Sequence, residues 1–413
     1  MATDANIAIA VELMTRFAQR TGLESDAPSQ RYLWTDAFAA CNFLGLAEAC
    51  SEPRFRQQAL LMVERVHGEL GQFRQDDVRR GWLHGPHGAA SAEHPTRAGL
   101  RIGKPLPERE PDEPVDQELE WERDGQYFHY LTRWMHALDQ MARATGSPQL
   151  NLWARELADT AHRAFTWTAP GGTRRMHWKM SVDLSRPLVA SMGQHDPLDG
   201  YITAVALQCT ATALGATEGP DLEQAAADYA VMLDEGSWAT ADPLGLGGLL
   251  MDAFRVEQLI RHHRFDGSDL LNRLLTAALL GLQHYQPPGH APAMLRLGFR
   301  ELGLAIGLAA VDALSHPATN REFAGDDAGR RLLAALQPHV PVRDAINAFW
   351  LAPENRRADS WTGHRDINEV MLATSLVPTG WLVMRSVNVA HIEGPPRGDV
   401  IIGRQGDRRP PPA

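Results

Sequence analysis

The sequence predicts an all-α chain closed into a ring of six helical hairpins, an (α/α)6 toroid. Long loops gather at one mouth, and a short irregular, strand-like tail ends the chain. Three observations carry this reading: helical periodicity over most of the chain, a regular alternation between two kinds of helix, and the position of the long loops.

Periodicity places helices near 6–20, 32–49, 54–70, 126–145, 148–165, 197–214, 220–234, 246–263, 268–284, 296–315, 328–337 and 365–377. In 126–145, Tyr127, Leu131, Trp134, Leu138 and Met141 recur at steps of four and three and so stack on one face, leaving Arg133, Asp139 and Gln140 on the other. Pro53, Pro148, Pro197, Pro220, Pro243 and Pro341 each precede an apolar run, where a missing N–H has no helical partner to lose. Ser147, Asp196 and Asp242 stand directly before three of these prolines as candidate N-caps.

The segments beginning at 32, 126, 197, 246, 296 and 365 are apolar nearly all round or rich in small residues, as at Gly303–Gly307. Those between them are one-sided, with polar pairs such as Gln57-Gln58 and Arg155-Glu156. A helix apolar on every side has to be enclosed by protein, whereas a one-sided helix faces water. Six enclosed helices alternating with six half-exposed ones make a toroid. The loops at 71–125, 166–196 and 338–364 each precede an enclosed helix, so a closed ring collects them at one end. An open solenoid of the same hairpins has no need of that arrangement. The ring domain is read as 1–385 and the tail as 386–413, with short strands at Trp381–Arg385 and Val400–Ile402 and a Pro/Arg terminus at Arg408–Ala413.

Composition narrows the function. The 413 residues are 44% hydrophobic and 22% charged, which is globular, and the net charge of −11 disfavours nucleic acid and anionic membranes as partners. Glu108–Asp124 holds nine acids against two arginines, leaving −4 of that charge for the rest. Asp116, Glu118, Glu120, Glu122 and Asp124 fall on alternate residues; a solvated loop without a specific calcium site is expected there. Cys41, Cys50 and Cys209 show neither a disulfide framework nor zinc spacing. The N-terminus lacks a basic leader, no apolar run reaches membrane-spanning length, and a cytoplasmic location is expected.

Walker A, GxGxxG, HExxH and GxSxG patterns are absent, and neither a cofactor nor a metal is expected. His84 and His87, three apart in a glycine-rich loop, have no third ligand nearby, and His262-His263 suits a helix C-terminus. What recurs is a pattern at the starts of enclosed helices: Tyr32-Leu-Trp34-Thr-Asp36, Trp121-Glu-Arg-Asp124-Gly-Gln-Tyr127, His195-Asp196-Pro-Leu-Asp199-Gly-Tyr201, Arg296-Leu-Gly-Phe-Arg300-Glu301 and Trp361-Thr-Gly-His364-Arg365-Asp366. Each couples a carboxylate to an aromatic ring, histidine or arginine. Flat rings stack on sugars and carboxylates move protons, so a saccharide or other small polar substrate is the expected partner.

The Trp34-Thr-Asp36 start, the Tyr127–Trp134 helix and the stretch from His177-Trp178 through His195–Tyr201 resemble six-hairpin glycosidase-type toroids. That superfamily includes glycoside hydrolases, unsaturated glycuronyl hydrolases and, more distantly, sugar epimerases. The resemblance implies a carbohydrate-active enzyme. As a glycoside hydrolase the chain uses Asp36 and Asp199 as paired carboxylates. Trp34, Tyr127, His129, Trp178, His195, Arg300, Trp361, His364 and Asp366 then surround the substrate. An alternative is a sugar isomerase or epimerase with His129 and His364 as proton shuttles. A third is a non-enzymatic helical-repeat binding or scaffold protein. Against a catalytic role, Asp199 has the position of a capping acid and Asp36 that of a buried partner for an arginine.

Overall fold

The computed structural model describes residues 3–25, 29–233, 237–263, 265–316 and 322–387. Its helices are α1 (Asp4–Arg20), α2 (Leu33–Cys50), α3 (Pro53–Leu70), one-turn α4 (Gln117–Glu120), α5 (Phe128–Thr145), α6 (Pro148–Phe165), α7 (Asp196–Leu214) and α8 (Glu223–Met232). They continue with α9 (Pro243–His263), α10 (Ser268–His284), α11 (Gly298–Ser315), α12 (Asp327–Leu336), α13 (Pro341–Leu351), one-turn α14 (Asp359–Thr362), α15 (Arg365–Leu376) and one-turn α16 (Thr379–Leu382).

Six of these form the inner ring: α2 packs on α5, α5 on α7, α7 on α9, α9 on α11, α11 on α15, and α15 returns to α2. Their enclosure is most complete in α2, where every residue from Leu33 to Leu46 is buried. The one-sided helices back them, α3 on α2, α6 on α5, α8 on α7, α10 on α9, and α12 with α13 on α11. The sixth hairpin joins the two ends of the described chain, because α1 packs on α15. The circle closes through Asn42 of α2, whose Nδ2 donates to Val370 O (3.0 Å) and whose Oδ1 accepts from Thr374 Oγ1 (2.9 Å) on α15. This is the closed toroid that the alternation predicts.

Between α9 and α11 the backbones nearly touch. A Cβ on Gly247 would lie 2.1 Å from Gly303 O, so only glycine permits the approach. The opposite mouth is filled by α16. Trp381 stacks on Phe38 at 3.6 Å, and its carbonyl lies 2.9 Å from His136 Nε2. Gln258 Nε2 donates to Leu382 O (3.0 Å) while its Oε1 accepts from Met384 N (2.7 Å).

The loops at 71–125 and 166–195 meet, as a ring requires. They share a small antiparallel sheet of β1 (Gln126–Tyr127), β2 (Lys179–Met180) and β3 (Pro187–Val189). Arg79 ties them further by reaching Asp77, Glu108 and Asp183.

Several expectations are corrected. The segment 338–364 is not a loop: Pro341 starts α13, which buries Ile346 and Trp350 against α11. Trp381 and Leu382 lie in a helical turn rather than a strand, held by the Phe38 stack and side-chain bonds to their carbonyls. Of the three candidate caps only Asp242 acts as one, Oδ1 accepting from Gly245 N at 3.0 Å; Ser147 makes no side-chain cap bond, and Asp196 sits one residue inside α7. The acidic stretch is no extended ladder. Asp116 caps α4, and Glu120 and Asp124 are buried on Lys179 and Arg101 instead of solvated. The readings for Val400–Ile402 and Arg408–Ala413 lie outside the described residues, as does most of the proposed tail.

The seam yields a prediction. Asn42→Ala removes both polar links between first and last inner helices, and should lower the unfolding free energy by about 1–3 kcal/mol in urea titration. An unchanged midpoint would mean that apolar packing alone closes the ring.

Candidate active site at the N-terminal mouth

The inner helices run in the same direction, so their first turns share one end of the ring. α5 contributes most. Gln126 and Tyr127 pair with Met180 and Lys179, which pins the entry to α5 beneath the 166–195 loop. Tyr127 then packs among Trp121, His129, Tyr130 and Trp178, with ring centroids 5.2–6.3 Å apart. Beneath it lies the Lys179 ammonium, which reaches Glu120 Oε1 at 2.8 Å, so the ring rests on a fixed, buried charge. Trp121 is half-exposed and meets Trp178 edge to face. These rings, with Val115, Gln117, Leu188, Val189, Ala190 and Ser191, line a cleft of about 480 Å³. A groove of about 530 Å³ also runs along α3, on the outside of the ring, and contains none of the expected site residues.

Behind Trp178 lies His129. Trp178 Nε1 donates to His129 Nδ1 at 3.2 Å, which leaves the proton of a neutral imidazole on Nε2. Burial, assisted by the Arg133 guanidinium, pushes the His129 pKa down to about 4, while Asp199 pulls the other way. At neutral pH this histidine is an uncharged donor. One turn on, Arg133 Nη2 contacts both oxygens of Asp199, at 3.3 and 3.1 Å. Burial, and then the nearby charge of Asp199, push the pKa of Asp252 on α9 up to about 7. Tyr130 and Tyr32 share a 2.5 Å hydroxyl contact, which joins α5 to the start of α2.

The other expected residues fall in different settings. Asp36 is 1% exposed; Arg31 Nη1 lies 3.3 Å from Oδ1, and Oδ2 accepts from Tyr32 N at 3.0 Å. Burial pushes its pKa up to about 7 against the pull of Arg31. Asp196 is likewise raised to about 7, by burial and then by Asp199, and accepts from Gly193 N. His195 Nε2 is held by Trp238 O at 2.9 Å. Arg300 pairs with Asp242, the cap of α9, and Glu301 is bound by Arg296 and the Trp350 indole. Asp366 is taken by Arg20 at 2.6 Å. His364 is exposed against the edge of Phe299.

The structure therefore gathers Tyr127, His129, Trp178 and Asp199. Two aromatics leave the expected set: Trp34 packs on Phe38, and Trp361, 2% exposed, stacks on Trp350. Both indoles fill space between helices and offer no open face. Asp199 lies in the first turn of α7, makes no bond to that turn's N–H groups, and pairs with Arg133 instead.

Sequence reasoning passed over Arg133, Tyr130, Trp121, Arg31 and Asp252 as site residues. A signal existed for three of them, since Trp121 heads one of the recurring helix-start patterns. Arg133 lies four residues after His129, hence on the same helix face, and Asp252 interrupts the apolar run Leu249-Leu250-Met251. Among the described residues, no group of three or more His, Cys, Asp or Glu side chains is arranged to hold a metal ion. No helix among them is long and apolar enough to cross a membrane.

No family model matches the sequence, and no curated protein does. Among solved structures, the chain is similar to a sugar epimerase from a ruminal bacterium, with a TM-score of 0.45 and 9% identity over 81% of this chain and 86% of that one. It is also similar to the cellobiose 2-epimerase of Spirochaeta thermophila DSM 6192, with a TM-score of 0.45 and 12% identity over 91% of this chain and 98% of that one.

Proposed function

We propose that this chain is a carbohydrate-active enzyme that isomerises or epimerises a sugar by moving a proton beside its carbonyl. The observation that carries the reading is His129, a neutral imidazole fixed by Trp178 behind an aromatic cleft and next to Arg133–Asp199. Removing a proton from carbon next to a carbonyl places negative charge on the carbonyl oxygen. Neutral Nε2–H donates to that oxygen without giving up its proton, and Arg133 has N–H groups beyond the one spent on Asp199. The rings of Trp121 and Trp178, lining the cleft, offer faces for a pyranose.

Hydrolysis through Asp36 and Asp199 is the weaker reading. It needs two carboxyls on opposite sides of a bound glycosidic bond. Asp36 is closed off beneath Arg31 and Tyr32, and both oxygens of Asp199 are held by Arg133. A pure scaffold leaves the uncharged histidine and the half-exposed indole without a task.

The test is to incubate the protein with a panel of reducing sugars in deuterated water. Deuterium should enter the carbon next to the carbonyl, with no new reducing ends. Reducing ends without deuterium would establish hydrolysis instead, and neither outcome across the panel would favour the scaffold. His129→Asn should slow the exchange about 10²–10⁴-fold. Trp121→Ala should raise KM with kcat little changed, since stacking binds ground and transition states alike.

His129 also has a signature without substrate. Its folded pKa of about 4 lies below the ordinary value near 6.5, so between the two the unfolded chain binds more protons. Its contribution is present above about pH 6.5 and is lost as pH falls towards 4. Relative to His129→Gln, the wild type should therefore weaken across that window in urea unfolding. A difference that stays constant would mean that His129 titrates normally.

A further inference from the structure

We infer that the aromatic cleft takes an uncharged apolar group carried by the sugar. The substrate is then a reducing sugar bearing an aromatic or branched-alkyl substituent away from its carbonyl. At about 480 Å³ the cleft has the size that holds a whole small molecule rather than one sugar ring. Trp178, whose Nε1 holds His129, brings one side of the cleft next to the reacting carbonyl of the proton-transfer reading. Trp121 and Val115, 51% and 63% exposed, open it to water.

A sugar ring turns hydroxyls outward around its edge, and each needs a partner once it leaves water. The cleft supplies few. The polar side chains that its lining exposes are Gln117, Ser191 and the indole of Trp121. Trp178 Nε1 is committed to His129. Glu120 is committed twice, Oε1 to Lys179 at 2.8 Å and Oε2 to Arg109 at 3.1 Å. Against these stand Val115, Leu188, Val189, Ala190 and the two indole faces. One sugar ring exhausts the polar groups. A second would bury hydroxyls without partners, whereas an apolar group gains from every wall.

Charge narrows the class further. The two cations beneath the cleft are turned inward. Lys179 Nζ divides its N–H groups among Glu120 Oε1 and the carbonyls of Glu120 and Arg123. Arg109 spends its three nitrogens on Glu120 Oε2, Glu113 O and Leu188 O. On the adjoining loop, Asp112, Asp116, Glu118 and Glu122 are exposed. A phosphate or carboxylate on the substituent therefore meets repulsion at the rim and no available cation within. The inference rests on the proton-transfer reading only for where the carbonyl lies; the character of the cleft does not depend on it.

Probes that share one attachment point separate the classes: glucose, 6-O-benzylglucose, a disaccharide of two glucose units joined through position 6, and glucose 6-phosphate. Binding is read from quenching of tryptophan fluorescence and from calorimetry. The benzyl sugar should bind about tenfold to a hundredfold tighter than glucose, the gain expected for burying one phenyl group. The disaccharide should bind no tighter than glucose, and the phosphate weakest of all. Val115 is exposed, so replacing it leaves the fold intact. Val115→Asp should abolish the benzyl advantage while glucose binding stays close to the wild-type value. A disaccharide or phosphate that binds as tightly as the benzyl sugar overturns the inference. So does a benzyl advantage that survives in Val115→Asp, or no binding by any probe. If the benzyl advantage appears without deuterium exchange in any of these sugars, the cleft assignment stands and the proton-transfer reading falls. Exchange without a benzyl advantage sinks the inference and leaves that reading intact.

Discussion

The six inner helices are enclosed over most of their length, so a charge within that length must find its opposite inside the ring. That constraint organises the interior. Arg133 meets Asp199, Arg255 approaches Asp252, and Arg143 Nε reaches Asp139 Oδ2 at 3.1 Å. Removing one member of such a pair strands a buried charge at a cost of roughly 3–5 kcal/mol, whereas replacing both with apolar groups is often tolerated. The axis is therefore a column of mutually dependent groups whose spacing is set by which helices adjoin. α5, α7 and α9 are consecutive around the ring and supply nearly all of it. The mouth inherits its chemistry from this column, because Arg133 and Asp199 are its upper end.

The fold was legible because the physics behind it is periodic. Burial on all sides against burial on one side is visible in runs such as Leu302–Val311 and Arg155–Glu156, and proline marks many of the starts. All twelve expected segments correspond to helices, with ends displaced by a few residues. The failures share one cause. At 338–364 and at Trp381, structure is imposed by distant partners, α11 in one case and Phe38 in the other. A short segment with no periodicity of its own gives no local sign of such a partner. Pro341, followed by an apolar run, did give a sign.

The site was legible by type rather than by role. Aromatics and acids at helix starts do collect at one mouth, yet the side to which each points depends on the neighbouring helix. Trp34 and Tyr127 occupy comparable positions at the starts of α2 and α5. One fills the gap beside Phe38, and the other is held at the cleft by pairing between β1 and β2. Asp36 and Asp199 likewise both lie four residues into their helices. Asp36 is covered by Arg31 from its own approach segment, whereas Asp199 is reached across the ring by Arg133. Sequence shows that an acid is present; the partner that decides its task comes from another hairpin.

The turn at Thr379–Leu382 has a consequence for traffic. Because Trp381 and the carbonyls around it occupy the far opening, the ring is a cup with a floor rather than a tube. Whatever enters must leave by the same rim. A long polymer cannot be threaded through and advanced stepwise from below.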